Sequence, residues 1–168
     1  MKQEFYPNAI QTPLSEDHYL PADAAYPKSL IVLHVTQGPS ASSAFNTFAA
    51  SKKPNRTSVH FVIDRDGTIY QHVPIRATAW HASKVNSKAV GIEHAAMTDG
   101  TLPITPEQLE SSAKLVAWLA QELGISLDRN HVMSHNEASP QDKHVLCCAP
   151  TLDPDQVVKL ALDRPGKV

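Results

Sequence analysis

"SLIVLHVT", residues 29–36, is a continuous apolar run of strand length with β-branched residues in its middle. A run of that kind suits a strand covered on both faces, so it implies a sheet with layers packed on either side. Its odd member is His34. Downstream, past a Gly-Pro turn, "SASSAFNTFAASKK" opens on a serine able to cap a helix and places Ala44, Phe45, Phe48 and Ala49 at helical spacing. "SVHFVIDRDGTIYQHVP" then alternates on both sides of Asp66-Gly67, a dipeptide that accepts the positive φ of a tight hairpin turn. The expected strands are 58–63 and 68–72.

"IRATAWHASKVNSK", residues 75–88, shows no period and reads as loop, whereas "AVGIEHAAM" is again short and apolar and reads as a central strand. The clearest helix follows. Thr105 is its N-cap, Pro106 its first residue and Gln108 the partner in a capping box, while Leu109, Ala113, Val116, Ala120 and Leu123 share one face. Gly124 ends it. "RNHVMSHN" suggests a strand ending at His135, and "DPDQVVKLALD" a last helix capped by Asp153 or Asp155. Before all this, residues 1–28 are rich in proline and polar residues without periodicity, an arm expected to pack over a domain formed by 29–168. The fold class expected is α/β, a single domain with a mixed central β-sheet flanked by helices.

The bulk properties narrow the function. At 168 residues one domain can bury a core without disulfide staples. The two cysteines, Cys147 and Cys148, are adjacent, and a bridge between neighbours is strained, so they are free thiols or ligands. A net charge of -2 provides no electrostatic footprint for nucleic acid and no basic patch for a membrane surface. No run approaches the roughly 20 apolar residues of a membrane span, and the start lacks the apolar segment of a signal peptide. The expectation is a protein that stays in the cytoplasm or is released by a route other than a signal peptide.

Three ionisable residues sit where apolar ones belong: His34 and Glu93 within strands, His135 at the end of a third. Burying such groups is costly unless they are paired or bind a metal. A single histidine of this kind is commonly a hydrogen-bonded core residue; three groups carried by three strands point to a shared site. Zn²⁺ accepts imidazole, thiolate and carboxylate, and catalytic sites use three protein ligands with a position left open. His34 and His135 supply two, and Asp142, His144, Cys147 and Cys148 compete for the third place. A cysteine nucleophile paired with His135 or His144 explains neither His34 nor Glu93.

"LIVLHVTQG", "SVHFVIDRDGTIYQHVP", "TAWHAS", "AVGIEHA" and "SHNEASP", in this order and at these separations, resemble the zinc-dependent N-acetylmuramoyl-L-alanine amidases of the amidase-2 class, which include T7 lysozyme and the peptidoglycan recognition proteins. The resemblance spans roughly residues 28–155 and implies their α/β fold, a Zn²⁺ cofactor and a peptidoglycan or muropeptide substrate. It makes His34 and His135 metal ligands. "CAPTLD" is the nearest match to the third-ligand element and favours Cys148, with an extra alanine before Pro150 and a lengthened loop leaving Cys147 open. Glu93 matches the catalytic acid or base. Lys143 is the nearest lysine to the family's oxyanion-stabilising position, with His144 as substitute, and Trp80 and His81 match the element lining the substrate groove. The alternative within the same family is a peptidoglycan-binding module without activity.

Overall fold

A computed structural model describes residues 3–148 and 150–164; the two ends of the chain and the alanine after Cys148 lie outside the described residues. The elements in chain order are β1 Ile10–Gln11, β2 Tyr19–Leu20, β3 Leu30–Val35, α1 Ala41–Ala50, β4 Phe61–Ile63, β5 Ile69–Gln71, β6 Thr78–Ala79, β7 Ala89–His94, α2 Pro106–Leu123, β8 Val132–Ser134, α3 His135–Ala138 and α4 Pro154–Leu162. One six-stranded sheet has the order β1-β5-β4-β7-β3-β8, and β2 pairs separately with β6. Within the large sheet only β4 and β5 run antiparallel, so the sheet is mixed.

The antiparallel pair is the hairpin expected around Asp66-Gly67. Phe61 faces Gln71 and Ile63 faces Ile69, and Gly67 takes a φ of +83° at the turn. The strands are shorter than the alternation suggested. His60 uses its ring on buried partners outside the ladder, donating from Nε2 to the Ala77 carbonyl and accepting at Nδ1 from the Gly91 N–H.

Strand parity decides where the site lies. Ile31, Leu33, Val90, Ile92, Phe61 and Ile63 pack in one core with Leu115, Val116 and Leu119 of α2 and Val157 and Val158 of α4. Side chains alternate along a strand, so Val32, His34, Gly91 and Glu93 belong to the opposite face. On that face α1 covers β4 through Ala41, Ala44, Val59 and Val62. The helical layer is held by local signals as well as burial. Thr105 and Gln108 close the capping box of α2 and Gly124 ends it in the left-handed region, and Asp153 caps α4 by accepting from the Asp155 N–H. Phe61 is wholly buried; truncating it to alanine would cost about 3–5 kcal/mol.

The N-terminal arm does more than lie on the surface. It adds β1 to the sheet edge beside β5, and Tyr6 packs its ring 5.0 Å from that of Trp118. Arg76 ties the arm to α2 by pairing with Glu4 at 3.2 Å and Glu122 at 3.1 Å. Two segments differ from the sequence expectation. The stretch 75–88 contains β6 and a 3-10 turn at Ser83–Lys88 rather than loop alone. The strand before His135 stops at Ser134, whose hydroxyl accepts from the Glu137 N–H while Glu137 accepts from the Ser134 N–H, so His135 opens a short helix instead of ending a strand.

Candidate metal and catalytic site

The parallel register of β3 and β7 sets His34 directly beside Glu93. Both occupy the face that α2 and α4 leave uncovered, at the floor of a cleft of about 1080 Å³. From β8, the adjoining strand, the chain turns into α3 and brings the His135 ring to 4.7 Å from that of His34. The loop after α3 returns over both rings. The Asn136 N–H donates to the Cys147 carbonyl at 3.1 Å and fixes the end of that loop against α3.

One potential ligand atom each from His34, His135 and Cys147 lies within 4.8 Å of the other two, and all three residues are buried. The neighbouring thiol goes elsewhere. Cys148 is fully buried in the helix-covered core and its Sγ–H donates to the Leu33 carbonyl at 3.3 Å. Cys148, favoured by the resemblance, is therefore not in the cluster, and the thiol left open, Cys147, is. Both cysteines border the helix-covered core, but only Cys147 also reaches the histidines.

The electrostatics suit this division. The Cys147 thiol is held far below its ordinary range by the neighbouring Cys148 thiol and, against the cost of burial, by His135 and His34. The Cys148 thiol is driven the other way by Cys147 and by burial. Burial holds the His34 imidazole below its usual value and so favours the neutral ring that can donate a lone pair. Burial works the same way on His135, but its hydrogen bonds to Cys147 and Asp142 outweigh it and raise that imidazole above its usual value. Two imidazoles and an acidified thiol form an N₂S donor set that fits Zn²⁺, whose binding would displace the proton from the ligating nitrogen of His135.

Glu93 completes the floor. Its Oε2 is out of contact with solvent and has no hydrogen-bond partner among the described residues. Burial, and then the charge of Cys147, push its carboxyl well above the ordinary carboxylate range.

The other expected residues separate. Trp80, His81 and His144 line the cleft, His144 stacking on the His135 ring with centroids 4.5 Å apart and planes 17° apart. Lys143 is exposed, closes the 3-10 turn Pro140–Asp142 in the left-handed region, and is not among the residues lining the cleft. Lys143, expected as the oxyanion donor, thus stands on the exposed side of the loop in this structure. Asp142, considered as a ligand, instead holds the His135 Nε2 at 2.9 Å.

Sequence reasoning missed Asn86 and Lys28. The Asn86 Oδ1 accepts from the N–H groups of His81 and Ala82 at 3.0 and 2.7 Å, and the buried Lys28 ammonium donates to the carbonyls of Asn86 and Ala89. An asparagine and a lysine within polar stretches carry no pattern that would single them out. Buried His94 is tied within the sheet and to α2: its Nδ1 donates to the His34 carbonyl and its Nε2 accepts from the Ser112 hydroxyl.

Residues 24–155 match the amidase-2 family model, described as N-acetylmuramoyl-L-alanine amidase. The chain belongs to this family. Among curated relatives of the amidase-2 chain is the N-acetylmuramoyl-L-alanine amidase CwlH of Bacillus subtilis (strain 168), 37% identical over 98 residues that cover 54% of this chain and 36% of CwlH. The chain thus spans about a third of the length of that relative. The fold is similar to that of AmpD in its selenomethionine crystal structure, with a TM-score of 0.73 and 24% identity over 94% of this chain and 97% of AmpD. It is also similar to E. coli AmiD, an N-acetylmuramyl-L-alanine amidase solved with anhydro-N-acetylmuramic acid-L-Ala-D-γ-Glu-L-Lys, with a TM-score of 0.65 and 22% identity over 86% of this chain and 66% of AmiD. Among the described residues no helix is long and apolar enough to cross a membrane.

Proposed function

We propose that this amidase-2 chain hydrolyses the amide bond joining the lactyl group of N-acetylmuramic acid to L-alanine, in peptidoglycan or its fragments. The observation that carries this reading is the convergence of His34, His135 and Cys147 on one point, with Glu93 opening into the same cleft. Family membership supplies the class of bond.

His34, His135 and Cys147 would hold Zn²⁺. Bound there, the ion supplies Lewis acidity, which acidifies water and polarises an amide carbonyl. Glu93 moves the proton. Its unpartnered Oε2 accepts a proton from water, and its raised affinity for that proton lets the carboxyl hold it until the leaving amine of L-alanine takes it. His144, stacked on His135 at the cleft, offers a ring N–H to the charge growing on the carbonyl oxygen, the role first considered for Lys143. Trp80 and the apolar side of Phe48 give the cleft walls for the sugar and stem peptide. The cleft's volume is sufficient for a ligand of that size.

The test is mass spectrometry of anhydro-N-acetylmuramic acid-L-Ala-D-γ-Glu-L-Lys and of intact muropeptides after incubation with the zinc-loaded protein, beside a chelated control. The expected result is free stem peptide plus the lactyl-bearing sugar, abolished by the chelator. Zinc bound at one equivalent with no cleavage of any of these substrates would replace the hydrolase with a peptidoglycan-binding module.

A further inference from the structure

His81 belongs to the loop that lines the cleft, and its side-chain polar partner is a candidate metal ligand at the cleft floor. Its Nδ1 lies 2.9 Å from the Nε2 of His34, with the two rings edge to face at 5.0 Å. His81 is not one of the three residues whose ligand atoms converge. It contacts one candidate ligand, from outside. Asp142 stands in the same relation to His135, holding Nε2 at 2.9 Å. Each histidine of the cluster therefore has its Nε2 occupied by a protein partner, which leaves Nδ1 to face the point of convergence.

The protein is built to seat the His81 ring there. A Cβ at Gly91 would come within 2.7 Å of the His81 Nδ1 and 2.8 Å of its Cγ, so the ring lies directly on the bare backbone of β7. The His60 ring packs against it edge to face at 5.7 Å, while His60 itself is fixed by the Gly91 N–H and the Ala77 carbonyl. The Asn86 side chain holds the backbone of His81 and Ala82, and Lys28 in turn holds the Asn86 carbonyl. A residue serving only as a flexible wall of a substrate groove needs none of these restraints.

We infer that His81 is a positioning residue for the metal site: its Nδ1 accepts the Nε2–H of His34 and so presents the His34 Nδ1 lone pair to the metal. This rests on the metal site proposed above. A partner on the outer nitrogen of a ligating histidine fixes the tautomer and ring orientation, and losing it typically costs about 10–100-fold in metal affinity. The acceptor must be Nδ1, which gives the inference a stereochemical signature. Asparagine can place its amide oxygen close to where Nδ1 stands, whereas glutamine reaches further, toward the Nε2 position.

Zinc affinity, measured by competition with a chromophoric chelator, tests this directly. His81→Ala and His81→Gln are expected to bind zinc about 10–100-fold more weakly than the unaltered protein, and His81→Asn to recover most of the loss. Gly91→Ala keeps the histidine but removes its seat and is expected to show the same loss; its melting temperature, read alongside, identifies any general unfolding. In the zinc-loaded, ¹⁵N-labelled protein the His34 ring is expected to carry its proton on Nε2. Zinc affinity unchanged in His81→Ala, with KM for the muropeptide raised instead, would overturn the inference and return His81 to the groove wall. Failure of the unaltered protein to bind zinc would overturn the metal site itself, a result distinguishable because it needs no variant.

Discussion

The candidate site has two halves that reach the same point by different means. His34 and Glu93 ride on adjacent strands at the centre of the sheet, in register with each other. Cys147, His144 and Asp142 ride on a loop that follows a four-residue helix and returns across the cleft. In the first half a side chain's direction follows from strand parity, so residue position alone decides which face it meets. In the second, direction depends on how a particular loop closes, and of two neighbouring buried thiols only one meets the histidines. The sheet is the stiff half of the site and the loop the adjustable one, a common division between scaffold and function.

The strongest way to break this comparison is to exchange the two thiols' fates. Cys147→Ser is expected to lose zinc and more than about 10⁴-fold in turnover, since the ion's charge stabilisation goes with it. Cys148→Ser is expected to keep both and to lose about 1–3 kcal/mol of stability from its buried position, read as a lower midpoint in urea. Zinc loss from Cys148→Ser in the folded protein would mean the loop closes differently.

Glu93→Gln sharpens the strand half. It is expected to keep zinc at one equivalent and lower kcat by about 10²–10⁴-fold with little change in KM, as fits a group that moves a proton. Near-normal turnover would remove Glu93 from the chemistry. A milder test concerns the seat beneath the site. Burial brings the Lys28 ammonium down to about 7 from its ordinary 10.5, with Glu4 opposing. Below about pH 7 the lysine is charged in both folded and unfolded chains. Above it, up to about 10.5, the unfolded chain keeps a proton that the folded chain has released, so this residue makes stability rise with pH across that window. Lys28→Met is expected to flatten that rise in denaturation curves taken at pH values on either side, and an unchanged slope would show that Lys28 is not the source. The smallest effect is expected at Lys143, exposed and outside the cleft lining. Lys143→Ala is expected to leave kcat within about twofold, whereas a loss as large as that of a catalytic donor, about 10²-fold, would place its side chain over the substrate after all.

The same division explains what was legible in the sequence. An imidazole inside "SLIVLHVT" and a carboxylate inside "AVGIEHAAM" stand out because the surrounding period leaves no ordinary place for them. The capping box of α2 and the Asp66-Gly67 hairpin were readable for a related reason, since local backbone chemistry fixes them whatever the tertiary context. The choice between Cys147 and Cys148 was not legible. Both are thiols at neighbouring positions, and what separates them is a hydrogen bond to the Leu33 carbonyl, a residue more than a hundred positions away. The outward turn at Lys143 and the seat of His81 on Gly91 likewise depend on contacts that no short motif encodes.

The most direct measurement of the central claim is X-ray absorption at the zinc edge of the zinc-loaded protein. One sulfur at about 2.3 Å and two imidazole nitrogens at about 2.0–2.1 Å are expected, with the sulfur absent from Cys147→Ser and retained in Cys148→Ser. Two sulfurs in the unaltered protein, or a sulfur that survives in Cys147→Ser and vanishes in Cys148→Ser, would contradict the site formed by His34, His135 and Cys147.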